Sequence, residues 1–332
     1  MNLHETMFMK NTPLNLSKKE LKKIIAQFDL SEEPVIKGWC YNFNHPVYVL
    51  ENYVLIKTNF GNKEGSLIER VKEFVWYNKN IAKHIKIPKY FKLKQGGYWL
   101  RDGANVWLVR ARINKWDLQE LIAGFFLSGT ESFDEYLIKV LSLDKNKMQE
   151  HGLLKKDFAA NLIGQALANL HNNTFLSIKD SYLPLHEARL RKVFSNESVD
   201  YFMSRHNQGP VCLCVFDPRL RNIVIENDDG LPTIVFIDTD SARLANPEVD
   251  VSSFGSESLK YELLRIFNNH YSDRIKSFAE SFNKSFLVGY GPTINCTPYP
   301  ILNKLLLSNV TCETYDPNKL EIIKKPFLSL MV

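Results

Sequence analysis

The stretch CVFDPRLRN, residues 214–222, joins the end of an apolar run to a group of polar and charged side chains. Asp217 directly follows the apolar run, and Asn222 directly precedes the next one. Arg219 and Arg221 lie between them. A strand that ends on a carboxylate holds that group at the edge of the core, but an aspartate followed by a proline is also typical of a simple turn. The stretch therefore predicts either a charged turn or a catalytic loop, and the other parts of the sequence have to distinguish the two.

The composition is typical of a globular protein that binds neither membranes nor nucleic acid. The chain has 332 residues, 45% of them hydrophobic and 24% charged, which is enough for a substantial core and about two subdomains. The net charge of +5 comes from scattered basic residues, as on a solvated surface. The start lacks a signal-peptide pattern, and no apolar run approaches the roughly 20 residues of a membrane span. We therefore expect a cytoplasmic protein with reduced thiols, in which Cys212 and Cys214 pack in the core rather than bind zinc.

Hydrophobic periodicity divides the chain into a β-rich part and a helical part. Residues 17–28 have the pattern of a helix capped by Ser17 and Glu20, and residues 65–84 return to helical spacing. The runs that predict strands in this part are VIKGW, PVYVLE and YVLIKT, and segments around Tyr90–Leu93, Tyr98–Leu100 and Asn105–Val109. After Trp116, helical patterns dominate except for short β runs between residues 211 and 238.

These patterns predict an α+β fold with two lobes around a cleft, which is where ligands usually bind. The small β-rich N-lobe covers residues 1–109, a hinge covers 110–116, and the larger, mainly helical C-lobe covers 117–332. No internal repeat or low-complexity segment interrupts this division.

Polar side chains end or follow several of the apolar runs, so that strands would hold them at the edge of the core. Lys57 ends the run YVLIK, Asp217 and Asn222 frame the opening stretch, and Asp238 ends the run IVFID. Phosphoryl transfer needs this set of groups: a cation for the α- and β-phosphates, oxygen ligands for Mg²⁺, and a carboxylate that accepts the proton of the attacking hydroxyl. The set favours a catalytic loop over a charged turn.

The motifs, taken in order, resemble those of the aminoglycoside phosphotransferase and choline-kinase-like family, which has the bilobal protein-kinase-like fold. The family's loop has the pattern H-G-D-x-x-x-x-N, followed by a hairpin and then I-D-W-x-x-A…D-P…D. This chain has V-F-D-P-R-L-R-N and then F-I-D-T-D-S-A-R-L-A-N-P-E-V-D, which puts Asp217, Asn222, Asp238 and Asp250 in register. LANLHNNT resembles the family's L-x-x-L-H helix end at His171, and FLVGYG resembles its F-x-x-G-Y-G motif. The resemblance covers most of the chain.

The resemblance implies that ATP binds to the N-lobe and the hinge. Lys57 would bind the α- and β-phosphates, and a glutamate on the next helix would orient it through an ion pair. Glu73 and Glu69 are one helical turn apart, and the spacing to Pro88 favours Glu73. The hinge that meets adenine would be the main chain of Val109, Arg110, Ala111 and Arg112.

The resemblance also implies catalytic and metal-binding roles in the C-lobe. Asp217 would be the base or the carboxylate that orients the acceptor hydroxyl, and Asn222 and Asp238 would be the ligands of Mg²⁺. Asp250 is expected to brace the loop by accepting backbone N–H bonds, and His171 is expected to be structural.

Arg219 and Arg221 take the two positions at which protein kinases carry a cation beside the transferred phosphoryl group. A guanidinium group there would stabilise charge on that group during transfer, and we favour Arg219 for the role. The alternative is that Arg219 pairs with a surface carboxylate such as Glu248.

The leading hypothesis is an ATP- and Mg²⁺-dependent kinase that phosphorylates a hydroxyl group of a small molecule. Aminoglycosides, amino sugars, choline-like alcohols and macrolides are all candidate acceptors. Val215 and Phe216 replace the family's His and Gly, and the loop GWCYNFNHP has a single glycine. These departures leave a second hypothesis open, a nucleotide-binding, pseudokinase-like scaffold with weak or no transfer activity. A protein kinase is disfavoured, because no A-P-E-like segment follows Asp238 at the spacing of a long activation loop.

Overall fold

The computed structural model describes most of the chain between residues 17 and 291. The described residues are 17–31, 36–42, 46–50, 52–58, 67–102, 105–113, 115–175, 191, 196–197, 200, 211–239, 241–268 and 270–291. Within these ranges, no helix is both long enough and apolar enough to cross a membrane.

Helix α1 (Lys18–Ile25) forms where the sequence predicts it, because both halves of a capping box are in place. The N–H of Ser17 donates to Glu20 Oε2 (2.8 Å), and the N–H of Glu20 donates to Ser17 Oγ (3.2 Å). The apolar face of α1, with Leu21 fully buried, packs against the sheet that follows it. The local signal for this helix therefore agrees with its tertiary packing.

A five-stranded antiparallel sheet forms the β-rich part. Its strands are β1 (Ile36–Asn42), β2 (Pro46–Leu50), β3 (Tyr53–Thr58), β4 (Leu100–Asp102) and β5 (Asn105–Ala111), in the spatial order β1-β2-β3-β5-β4. Helix α2 (Leu67–Ile81) covers one face, where Phe74 packs with Ile56. Helix α1 covers the other face, where Leu55 and Trp107 are buried. Alternate side chains of each strand thus face the two helices.

The segment Tyr90–Leu93, predicted as a strand, is irregular. Isolated bridges join it to β5 and to Phe28, three residues after the end of α1. The N–H of Asp29 donates to Lys92 O (2.8 Å), so the chain that follows α1 takes the place of a neighbouring strand. The predicted run Tyr98–Leu100 is displaced along the chain and becomes β4.

Most of the described helices lie after the β-rich part. They are α3 (Leu118–Ser128), α4 (Phe133–Leu141), α5 (Lys145–Glu150), α6 (Phe158–Asn173), α7 (Glu248–Val251), α8 (Ser256–Ile266) and α9 (Ser272–Tyr290). The strands among them form two antiparallel pairs, β6 (Cys212–Cys214) with β9 (Arg243–Ala245) and β7 (Ile223–Asp228) with β8 (Leu231–Phe236). The predicted α+β class, with a small β-rich part and a larger helical part, is confirmed.

Helices α6 and α9 pack closely at two glycines. A Cβ atom on Gly164 would lie 2.3 Å from Phe286 O, and one on Gly289 would lie 2.0 Å from Asn161 O. Backbones approach this closely only where neither helix places a side chain in the contact. Part of the FLVGYG motif therefore serves to pack α9 against α6.

Candidate active site

The loop that carries Asp217 is held by a buried carboxylate. Asp250, at 0% exposure, accepts the N–H of Val215 on Oδ2 (2.8 Å) and the N–H of Phe216 on Oδ1 (2.7 Å). Phe216 has a φ of +73°, in the left-handed region that favours glycine. The prediction that Asp250 braces this loop through backbone N–H groups is confirmed.

The brace itself is supported by a second layer of buried side chains. His171, at the end of α6, hydrogen-bonds through Nε2 to Asp250 Oδ2 (3.1 Å) and through Nδ1 to the hydroxyl of Tyr290 (2.8 Å). All three side chains are buried. The prediction that His171 is structural is confirmed, and the FLVGYG motif contributes its tyrosine to the same network.

Three side chains with the chemistry of metal ligands also meet beneath the loop. The ligand atoms of His171, Cys212 and Cys214 lie within 4.8 Å of one another, and the two sulfurs are 3.8 Å apart. Both ring nitrogens of His171 are already hydrogen-bonded, and Cys214 Sγ donates to Ala245 O (3.5 Å). Both cysteines are free thiols packed with Phe216 in a buried cluster, which agrees with the expectation that they pack in the core.

The opening stretch folds into a compact turn around Asp217. Arg219 Nε donates to Asp217 Oδ1 (2.5 Å), and these side chains are 28% and 14% exposed. Asn222, buried at the end of a 3₁₀ turn, donates from Nδ2 to the main-chain oxygen of Asp217 (2.9 Å). The structure thus places the guanidinium group of Arg219 on the predicted base.

The environment of Asp217 disfavours the charged form of its carboxyl group. Burial raises the pKa of Asp217 to about 6, the Arg219 guanidinium opposes this rise, and the negative charge of Asp238 adds to it. Arg221 also lowers the pKa of Asp217 through its positive charge. Asp217 thus interacts electrostatically with Arg219, Arg221 and Asp238, three other members of the predicted catalytic and metal set.

The β7–β8 hairpin brings Asp238 to Asn222. The strands pair in register from Ile223 opposite Phe236, and the N–H of Ile237 donates to Asn222 O (2.9 Å). Asp238 follows directly and is exposed. Two predicted metal ligands thus come from the two ends of one hairpin.

The donor set at this position fits a hard divalent cation. The amide nitrogen of Asn222 is engaged by the main chain of Asp217, so its amide oxygen is the atom available to a cation. Asp238 adds a carboxylate, and its charge lies close enough to Asp217 to raise the pKa of that group. Amide and carboxylate oxygens are the ligands that Mg²⁺ prefers, and a cation here would relieve the repulsion between the two aspartates.

On the N-lobe side, the structure places Lys57 in β3, opposite Trp107 of β5. The side chains of Lys57 and of Glu69 lie outside the described part of the chain. Glu73, exposed on α2, accepts a hydrogen bond from the hydroxyl of Tyr77 (2.9 Å). The ion pair between Lys57 and a glutamate of α2 therefore stays a prediction.

The predicted hinge begins inside β5. Val109 O accepts the N–H of Phe91 (2.9 Å), the N–H of Ala111 donates to Lys89 O (2.8 Å), and the N–H of Arg112 donates to Asn52 O (2.9 Å). Arg110 pairs with Val54 of β3. Several main-chain groups of the segment are thus already bonded within the protein, so an adenine contact would use its other groups. That contact stays a prediction.

Sequence reasoning did not find two buried residues beside the predicted metal site. The hydroxyl of Thr239, directly after Asp238, donates to Asn78 Oδ1 of α2. Thr239 is 1% exposed and Asn78 is 4% exposed. The position of Thr239 directly after Asp238 could have drawn attention to it, but nothing in the sequence indicates that Asn78 is its partner.

Several solved structures that align with this chain are kinases and phosphotransferases of small molecules. An amicoumacin kinase bound to AMP-PNP and Ca²⁺ aligns with a TM-score of 0.55 and 13% identity, over 95% of this chain and 93% of the other. A microcompartment-associated aminopropanol kinase aligns with a TM-score of 0.52 and 12% identity, over 94% of both chains. A spectinomycin phosphotransferase bound to ADP and spectinomycin aligns with a TM-score of 0.50 and 14% identity, over 96% and 95%.

At these identities the likeness concerns the fold. It confirms the bilobal protein-kinase-like architecture that the motif order predicts. No protein-family profile matches the chain, and no curated protein sequence does either.

Proposed function

We propose that this protein is an ATP- and Mg²⁺-dependent phosphotransferase that acts on a hydroxyl group of a small molecule. The observation that supports this most is the arrangement around Asp217: a largely buried carboxylate with a raised pKa, bonded to Arg219 and close to Asp238. The likeness in fold to small-molecule kinases over more than nine-tenths of the chain adds support.

In this proposal Asp217 orients the acceptor hydroxyl and takes its proton. Above pH 6 or so the carboxyl group is ionised and ready to accept that proton. Arg219 holds Oδ1 of Asp217 in place and puts a positive charge beside the reacting groups. Because the loop is anchored at Val215 and Phe216 by Asp250, Asp217 is held rigidly.

Asn222 and Asp238 are the proposed ligands of the metal. The hydrogen bond from Ile237 to Asn222 O fixes the two ligands relative to each other. Mg²⁺, when bound, neutralises phosphate charge as the phosphoryl group moves. The nucleotide itself is assigned to Lys57, with Glu73 or Glu69 as the orienting glutamate, and to the main chain of Val109–Arg112. The proposed boundaries are an N-lobe of 1–109, a hinge of 110–116 and a C-lobe of 117–332.

The test separates transfer from nucleotide binding. Purified protein is screened for ADP release with a panel of small alcohols, including aminoglycosides, amino sugars and choline-like compounds. Asp217→Ala should keep ATP affinity and lose transfer by about 10²-fold or more, since Asp217 contacts the acceptor rather than the nucleotide. Asp228→Ala, at the exposed far end of the same hairpin, is the matched control and should retain activity.

One observation favours a second candidate, a nucleotide-binding scaffold. Val215 and Phe216 occupy the positions of the family's His and Gly, and both are buried. Wild-type protein that binds ATP but transfers phosphate to no alcohol in the panel would support this candidate instead.

A further inference from the structure

Asp238 is exposed, yet the residues on either side of it are held. On one side, the N–H of Ile237 donates to Asn222 O (2.9 Å), which ties it to the other proposed ligand. On the other side, Thr239 is 1% exposed and its hydroxyl donates to Asn78 Oδ1. A residue whose two neighbours are both fixed has little freedom in its main chain, so these two contacts fix where the main chain of Asp238 lies.

Both partners of the hydrogen bond between Thr239 and Asn78 are held in place. Asn78 is 4% exposed, and its amide nitrogen donates to Phe74 O within α2 (3.0 Å), which leaves the amide oxygen for Thr239. Because both side chains are buried, water cannot readily replace either partner. The hydrogen bond therefore has a single arrangement, and it joins α2 to the residue that follows Asp238.

Helix α2 touches the same segment at a second point. The hydroxyl of Tyr77, which donates to Glu73, also receives a hydrogen bond from the main chain of Leu244. Consecutive residues of α2 thus hold both ends of the stretch between Thr239 and Leu244. The helix that carries the proposed partner of Lys57 is bonded directly to the stretch that begins beside the metal ligand.

We propose that Asn78 and Thr239 are positioning residues for the metal: their hydrogen bond holds Asp238 where it can coordinate the divalent cation, and it links that position to α2. This inference rests on the proposed function. Hydrogen-bond partners behind metal ligands typically change metal affinity by about 10- to 100-fold when they are removed.

Thr239→Val removes the hydroxyl at nearly constant shape, and Thr239→Ser keeps it. The measurement is a Mg²⁺ titration at saturating ADP, followed by tryptophan fluorescence or calorimetry, with ADP binding in EDTA measured separately. Thr239→Val should raise the apparent Mg²⁺ dissociation constant about 10-fold and leave ADP binding in EDTA within about twofold. Thr239→Ser should restore the wild-type Mg²⁺ affinity.

Two further variants control for folding. The pair Thr239→Val with Asn78→Leu removes both partners, so no buried polar group is left unbonded and the fold should survive, while Mg²⁺ affinity stays low. Asn80→Ala removes a bond of the same type, from Asn80 Nδ2 to Trp76 O (2.8 Å), at a less buried position of α2. It should leave Mg²⁺ affinity unchanged.

The outcomes distinguish this inference from the proposed function. If folded Thr239→Val and the double variant bind Mg²⁺ like wild type while Asp238→Asn does not, the positioning role is wrong and the metal site is right. If wild-type protein shows no Mg²⁺-dependent binding of ADP, the proposed function fails and the positioning role fails with it.

Discussion

The raised pKa of Asp217 predicts that this carboxylate destabilises the fold at neutral pH. The perturbation that tests it is Asp217→Asn, which has nearly the same shape and does not titrate. Comparing the stability of this variant with that of wild type needs no acceptor substrate. If Asp217 is held in a site built for chemistry, the protein tolerates a cost in stability there, as active sites commonly do.

The size and sign follow from linkage. In the folded protein, burial raises the pKa of Asp217 from 3.8 to about 6, which at about 1.4 kcal/mol per pKa unit corresponds to about 3 kcal/mol. Because the folded state holds the proton more tightly than the unfolded state, Asp217 favours folding below about pH 4. That contribution is lost as the pH rises through about 6. The free energy of unfolding of Asp217→Asn, minus that of wild type, should therefore increase by about 2 kcal/mol from pH 4 to pH 7, since at pH 4 the carboxyl group of the unfolded chain is already about half ionised.

The measurement is urea denaturation of both proteins across this pH range. The pKa of Asp217 already includes its ion pair with Arg219, so the slope reports the net effect of burial and of the neighbouring charges on Asp217. Asp134, whose pKa burial likewise raises to about 6, is present in both proteins and cancels. In Asp238→Asn the neighbouring negative charge is gone, so the pH-dependent part should shrink. A flat difference, or one that decreases with pH, would refute the reasoning, because it would mean that the pair with Arg219 outweighs burial.

Two other predictions concern packing and transfer. Gly289→Ala should lower the free energy of unfolding by about 1–3 kcal/mol, since its Cβ would meet Asn161 O at 2.0 Å. The Cβ of Gly124→Ala would meet only the tip of a tyrosine side chain, so this control variant should change stability little. Equal melting temperatures for the two variants would contradict the prediction. Once an acceptor is known, Arg219→Ala should lower turnover by about 10²-fold with a smaller change in the Michaelis constant for ATP. Because Arg219 is bonded to the proposed base, Arg219→Ala should lower turnover more than Arg221→Ala does in steady-state kinetics. Equal decreases in turnover would contradict the proposed role of Arg219.

Local signals in the sequence predict much of this fold. The capping box at Ser17 and Glu20 forms as expected, and the alternation of the β-rich runs gives a regular sheet. The order of the motifs also predicts that Asn222 and Asp238 approach each other, because a short hairpin must bring its ends together, and the bond from Ile237 to Asn222 shows that it does. Periodicity and turn chemistry depend on near neighbours, so a single sequence reveals them.

Contacts between distant residues could not be predicted in the same way. The partner of Thr239 is Asn78 of α2, 161 residues earlier in the chain. Such a contact depends on how elements pack and on which rotamers the side chains adopt, and it leaves no periodic signal. The irregular segment at 90–93 has the same cause, because the chain that follows α1 takes main-chain bonds that a neighbouring strand would make.

The replacement of the family's glycine by Phe216 bears on whether the loop can be active. The left-handed φ of +73° costs a residue with a Cβ atom about 1–2 kcal/mol, which explains why glycine suits this position. Here the ring is 1% exposed and lies under the Arg243 guanidinium, 4.1 Å from the ring centroid. Burying such a ring stabilises a protein by about 3–5 kcal/mol relative to alanine, which outweighs the backbone cost. Asp250 fixes the N–H of Phe216 as it would fix that of a glycine. Phe216 in place of glycine therefore adds backbone strain but gains buried packing, and it leaves the loop of Asp217 braced. This difference from the family pattern, which favours a scaffold, thus has an explanation that does not require loss of activity.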